Sequence, residues 1–244
     1  MDTRDVTLST ADGPMRLYEA VPDTGTPAGA VVVVQEAFGV NDHITDVTRR
    51  FARAGFHAVA PDLFHRSGGG TAPYDDFSKV LPLFEGLDGD GALLVDLDAA
   101  LDHLRNAGWS DLRIGVVGFC FGGRVSFLAA LHRRLGAAVG FYGGGIVTGR
   151  FPQFPPLVDD AGSLQTPWLG LFGDLDESIP VADVEVLADA LVQRAAVPAE
   201  VVRYPDAGHG FHCDQRPSYD EAAARDGWRR TIDWFERFLS GDHD

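Results

Sequence analysis

Lysine is almost absent from this chain: Lys79 is the single one, and every other basic side chain is an arginine. Acidic residues outnumber basic ones, 36 to 20, for a formal net charge of −16. That excludes a nucleic-acid-binding surface, because phosphate neutralisation needs clustered Lys and Arg. An anionic ligand would need a local arginine to offset the overall field. Only two cysteines occur in 244 residues, which excludes a disulfide scaffold. No apolar run is long enough to cross a bilayer; the strongest stretch is Ala28 to Val34. The opening MDTRDVTLST lacks the apolar core of a secretory signal, so a cytoplasmic location is expected.

What is present is an ordinary globular balance, 45% hydrophobic and 23% charged. Disorder does not describe such a chain, and its length allows a core that buries roughly 70–75% of the unfolded surface. No segment reads as a linker. The Gly-rich stretch Ser67–Pro73 and the Pro-rich stretch Phe151–Pro156 are short and lie between segments of the same rhythm. One domain over residues 1–244 is expected, as a monomer or small homo-oligomer.

That rhythm alternates strand and helix. Strands are expected at Met15–Ala20 (after an Asp12-Gly13 turn), Val31–Gln35, His57–Pro61, Ile114–Val117, Ala137–Tyr142, Trp168–Phe172 and Glu200–Tyr204. Helices are expected at His43–Ala54, closed by Gly55, and at Gly91–Ala107, Arg124–Arg133, Val181–Arg194 and Glu221–Leu239. Continuous apolar runs such as Val31–Val34 mark strands covered on both faces. The pattern implies right-handed crossovers and a mainly parallel sheet between helices, an α/β fold. In such sheets the chemistry gathers at the carboxyl ends of the strands.

The strongest chemical signal is Ile114-Gly-Val-Val-Gly118-Phe-Cys120-Phe-Gly122-Gly123, a G-x-C-x-G turn between strand and helix. A sharp turn of this kind exposes its central residue, and the following helix N-terminus stabilises a thiolate. The alternative is a buried structural cysteine. A phosphate loop is excluded, since neither G-x-x-x-x-G-K-[ST] nor G-x-G-x-x-G is present. A nucleophile here calls for an acid and then a histidine further along. Asp174 and Asp176 both follow the strand Trp168–Phe172, and His209, flanked by Gly208 and Gly210, follows Glu200–Tyr204. A helix cap near Pro180 is the alternative for either aspartate, and a surface loop residue the alternative for His209. His209, His212 and Cys213 together allow a metal-site reading, and Cys120 with Cys213 a redox one; no second cluster has ligand spacing. Glu36 ends the strand Val31–Gln35. The loop it opens supplies one oxyanion donor in this architecture, so the backbone amides of Ala37 and Phe121 are the candidates.

These residues resemble the dienelactone hydrolase family, the carboxymethylenebutenolidase type of α/β-hydrolase. The likeness runs from about Val31 to the terminal helix. It rests on Gln35-Glu36-x-Phe-Gly39, Ala60-Pro61-Asp62-Leu63, Gly118-Phe-Cys120-Phe-Gly122-Gly123, Phe141-Tyr142-Gly143, the Asp176 loop and Gly208-His209-Gly210-Phe211. The resemblance implies one α/β-hydrolase domain and a cysteine hydrolase of small lactones or esters, with no cofactor and no metal. Cys120 would be the nucleophile, His209 its base and Asp176 the orienting acid, working through a thioester. Glu36 would match the family glutamate that holds the resting thiol neutral and takes part in its activation when substrate binds. Family members place a carboxylate-binding arginine four residues after the histidine, where this chain has Cys213. Arg66 and Arg216 are candidates for that task, a surface salt bridge being the alternative for each, with Tyr142 a further substrate contact. A catalytically silent protein that keeps the pocket and binds a small ligand is the alternative to an enzyme.

Overall fold

Eight strands form one sheet in the computed structural model, which describes residues 1–23 and 25–239. The strands are β1 (Asp2–Thr10), β2 (Gly13–Val21), β3 (Gly29–Val34), β4 (Phe56–Pro61), β5 (Ile114–Phe119), β6 (Ala137–Phe141), β7 (Trp168–Gly173) and β8 (Ala199–Tyr204). The helices are α1 (Asp42–Arg53), α2 (Val80–Phe84), α3 (Gly89–Asn106), α4 (Phe121–His132), α5 (Val181–Arg194) and α6 (Glu221–Leu239). The sheet order is β1-β2-β4-β3-β5-β6-β7-β8, with the first two pairings antiparallel and the rest parallel.

Every residue of β3, β4, β5, β6 and β7 is buried, which is why these strands read as continuous apolar runs. Gly115 and Gly118 lie three apart on β5, so they address opposite faces of the sheet. A Cβ at Gly115 would meet Phe235 of α6, whereas one at Gly140, level with Gly118 on β6, would meet Ser126 of α4. Helices α6 and α4 therefore cover opposite faces. Helix α1 joins α6 through Phe51, whose ring lies 4.6 Å from Trp228 and 5.9 Å from Phe235. The Asn41 side chain caps α1 by accepting from the Ile44 amide at 3.1 Å.

Three elements depart from the sequence expectation, one being the five-residue helix α2, which no expected helix covers. Strand β1 is an edge strand with mostly exposed residues; only Val6 and Leu8 pack on the core, too few to mark it by hydrophobicity. Helix α4 begins at Phe121 and not at Arg124, so two glycines open it against their helical propensity. Tertiary crowding demands them, as the site shows.

A buried charge stitches this hairpin to the parallel sheet. Glu19 on β2 accepts from Arg4 on β1, from His57 Nε2 on β4 at 2.8 Å and from His103 Nε2 on α3 at 2.8 Å. The Trp109 indole donates to His57 Nδ1 at 3.0 Å, which leaves the His57 proton on Nε2, facing Glu19. Burial alone would raise the Glu19 pKa. The hydrogen bonds from His103, Arg4 and His57 outweigh it and bring the value from 4.5 down to about 2. A carboxylate held below its unfolded pKa stabilises the fold above that pKa and loses the contribution as pH falls through the folded value. Urea unfolding at pH 7 is expected to show Glu19→Gln destabilised by about 3 kcal/mol, with the gap from wild type narrowing between pH 4.5 and about 2.

Candidate active site

Strand β5 ends at Phe119 and α4 starts at Phe121, leaving Cys120 alone in the turn at φ 54°, ψ −115°. For a residue with a side chain this backbone costs on the order of 1–3 kcal/mol and persists only where the surroundings impose it. They do so by close approach. A Cβ at Gly118 would overlap the Gly122 carbonyl, and one at Gly122 would overlap Val34 and sit 2.6 Å from the Gln35 carbonyl oxygen. The Cys120 amide donates to the Phe141 carbonyl at 3.0 Å, tying the turn to β6. The Phe121 amide, first in α4, adds to the factors that favour the charged form of the Cys120 sulfur.

Two distant loops reach this sulfur. His209, beyond β8, has Nε2 3.1 Å from Cys120 Sγ and Nδ1 2.6 Å from Asp176 Oδ2. Asp176, beyond β7, is buried, and its Oδ1 accepts from the Ser178 amide at 2.8 Å and the Ser178 hydroxyl at 2.6 Å. The rival Asp174 is instead held by Arg203, at 2.7 and 2.9 Å. Burial opposes charge on His209, but the Cys120 sulfur and the Asp176 hydrogen bond raise its pKa to about 10. Burial would likewise raise the Cys120 pKa, and the charge and hydrogen bond of His209 bring it below the usual thiol range. Asp176 is pushed up by burial and drawn below the usual carboxylate range by His209 and Ser178. The arrangement favours thiolate and imidazolium.

Glu36 is buried beside this pair, yet the hydrogen-bond partner of the thiol is His209, not Glu36. Glu36 Oε2 accepts from the Tyr74 hydroxyl at 2.9 Å, and Asn41 Nδ2 donates to the same hydroxyl at 3.0 Å. Arg216 Nη1 lies 3.7 Å from Glu36 Oε1, and its guanidinium sits over the rings of Phe38 and Tyr74 at 5.6 and 5.4 Å. Glu36 is thus placed beside the thiol but hydrogen-bonded to Tyr74, with His209 the group within reach of the sulfur. Cys213 is buried, and burial together with the charge of Glu36 pushes its thiol up to about 11. His212 packs against Phe119 and Trp228, where burial lowers its pKa to about 3. The metal-site reading of His209, His212 and Cys213 finds no support: among the described residues no three such side chains come together as ligands.

Above Cys120 opens a cavity of about 650 Å³, whose walls include Ala37, Phe121, His209 and Arg216. Arg66 is a correction. It lies outside these walls, clamped by Asp96 at 2.6 and 2.9 Å and by Asp12 at 2.9 and 2.7 Å. Tyr142 is also not on the wall. At φ 38° it packs behind the imidazole, its ring 5.2 Å from His209, and its amide donates to the Leu171 carbonyl at 2.7 Å. The sequence reading missed Ser178, Tyr74, Arg124 and Arg150. Only Ser178 left a local trace, the Asp-x-Ser spacing of an aspartate that caps a turn.

Iodoacetamide at pH 7 is expected to alkylate Cys120 at least tenfold faster in wild type than in His209→Ala. Buried Cys213 should stay unlabelled in the folded protein; timed peptide mapping by mass spectrometry reads both. The model of the dienelactone hydrolase family matches residues 15–239. A protein of Methylorubrum extorquens named "Putative carboxymethylenebutenolidase" is 39% identical over 238 residues, covering 96% of this chain and 80% of that one. One of the same name from Escherichia coli is 42% identical over 233 residues, covering 92% and 83%. A crystal structure from Klebsiella pneumoniae, described as a "Putative Dienelactone Hydrolase", superposes with a TM-score of 0.87 at 38% identity, over 97% of this chain and 99% of that one. An acylaminoacyl peptidase of Pyrococcus horikoshii, 14% identical, has a TM-score of 0.76 over 100% of this chain and 42% of that one, and shares the α/β-hydrolase fold alone. The chain belongs to the dienelactone hydrolase family.

Proposed function

We propose that the protein hydrolyses esters and lactones through a thioester on Cys120. The observation that carries this reading is the unbroken chain from Cys120 Sγ through His209 to Asp176, with separations of 3.1 and 2.6 Å. The thiolate attacks the carbonyl carbon, and the π pair moves onto the carbonyl oxygen. The Phe121 amide, free of an intrahelical partner as the first residue of α4, and the Ala37 amide are the proposed donors to that oxyanion. Collapse expels the alkoxide, which takes the His209 proton; in a lactone it stays tethered to the acyl group. Water then adds to the thioester and gives a proton to His209, and collapse returns the thiolate. Asp176 fixes the imidazole tautomer and offsets its charge in both halves.

Glu36 acts here as a positioning residue. It anchors Tyr74 and faces Arg216, while its charge works against the thiolate. Arg216 remains the proposed contact for a polar end of the substrate, and Tyr142 a support for the imidazole.

Cys120→Ala is expected to reduce turnover of p-nitrophenyl acetate to background. Asp176→Asn should lower kcat about a thousandfold or more. Rapid quench of the wild type should trap one acetyl group on the Cys120 peptide. Near wild-type turnover by Cys120→Ala would end the proposal.

A further inference from the structure

We infer that the site selects esters and lactones bearing an aromatic ring or comparable apolar bulk, packed against a continuous phenylalanine-rich lining; this rests on the hydrolytic reading above. One wall comes from the chain after β4, with Phe77, Leu81 and Phe84, and the other from the chain after β6, with Phe151 and Phe154. Phe121, beside the nucleophile, joins them. Its ring lies 5.1 Å from Phe84 and 5.6 Å from Phe154, and Phe84 lies 5.8 Å from Phe151. These are separations at which aromatic rings touch, so the two walls meet around Phe121 in one continuous apolar lining, and a substrate ring packed on its cavity face meets further partners of the same kind.

The mouth repeats the pattern. Phe77 is 63% exposed, Leu81 58%, Phe151 41% and Leu175 63%, and all four line the cavity. Apolar surface gathered from three separate segments onto one opening marks a binding edge, whereas single exposed apolar residues elsewhere mean little. The cations of the walls are few and partly engaged. Arg124 is paired with Asp90 and donates to the Pro155 carbonyl at 2.6 Å, Arg150 donates to the Ser178 carbonyl at 2.6 Å, and Arg216, 3.7 Å from Glu36, is the one proposed to meet a polar end of the substrate. Apolar contact is therefore what the walls mainly offer. A volume of about 650 Å³ falls within the roughly 300–1,000 Å³ of sites that enclose ligands much larger than a single lactone ring.

The experiment compares neutral alkyl esters by proton release at constant pH: ethyl acetate, ethyl 3-phenylpropionate with bulk on the acyl side, and 2-phenylethyl acetate with bulk on the alcohol side. Monoethyl succinate adds an anionic arm. At least one phenyl ester is expected to exceed ethyl acetate tenfold or more in kcat/KM. The double variant Phe77→Ala, Leu81→Ala should cut that advantage at least fivefold, mainly through KM. The control Val192→Ser, at an exposed position on α5 away from the cavity, should leave it intact. The inference alone is overturned by any of three results while p-nitrophenyl acetate is still cleaved through Cys120: phenyl esters within threefold of ethyl acetate, monoethyl succinate surpassing both, or an advantage undiminished in the double variant. Failure to cleave p-nitrophenyl acetate overturns the hydrolytic reading and takes this inference with it.

Discussion

Backbone packed against backbone at the β5–α4 turn is the constraint on which the site depends. The turn is tight because Gly118, Gly122 and Gly123 lack side chains, so carbonyls of Gly122, Val34, Gln35 and Phe141 crowd where Cβ atoms would stand. That crowding holds Cys120 in a conformation it would not choose. It also draws the end of β3 against the start of α4, which puts the Ala37 loop beside the Cys120 sulfur. The helix pays part of the cost, opening with glycines that favour other conformations.

The parallel sheet supplies the rest by geometry alone. Strands β3, β5, β7 and β8 all point the same way, so the loops after them open on one edge. Glu36, Cys120, Asp176 and His209 each stand in one of these loops. Cys120, His209 and Asp176 touch in sequence and so act as one electrostatic unit. The proton on His209 is worth more there than in water, because the sulfur on one side and the carboxylate on the other both favour it.

Arginine paired with aspartate recurs through the structure as a positioning device. Arg66 with Asp96, Arg124 with Asp90, Arg133 with Asp98 and Arg203 with Asp174 each join separate elements through two-pronged contacts. A planar guanidinium fixes both distance and angle in such a contact, which an ammonium does not. The near-absence of lysine is consistent with this use. Arg124 belongs to the helix that carries Cys120 at its N-terminus, and through Asp90 and the Pro155 carbonyl it ties that helix to α3 and to the chain behind the second aromatic wall.

The α/β class was legible in the sequence because it is written in short-range pattern. Buried parallel strands require unbroken apolar runs, and the covalent order of strand, glycine, cysteine, glycine and helix defines a turn wherever it occurs. Strand β1 was not legible, since an edge strand satisfies its backbone without burying much and so carries a largely polar sequence. Partner choice was decided only by tertiary structure. Nothing local separates Arg66, locked by Asp96 and Asp12, from Arg216, which reaches the cavity. Nothing local assigns Tyr74 to Glu36, or Asp174 to Arg203. Pattern along a chain records which face of an element is dry. Which charge meets which depends on distances set once all the elements have packed, and those distances have no counterpart in residue spacing.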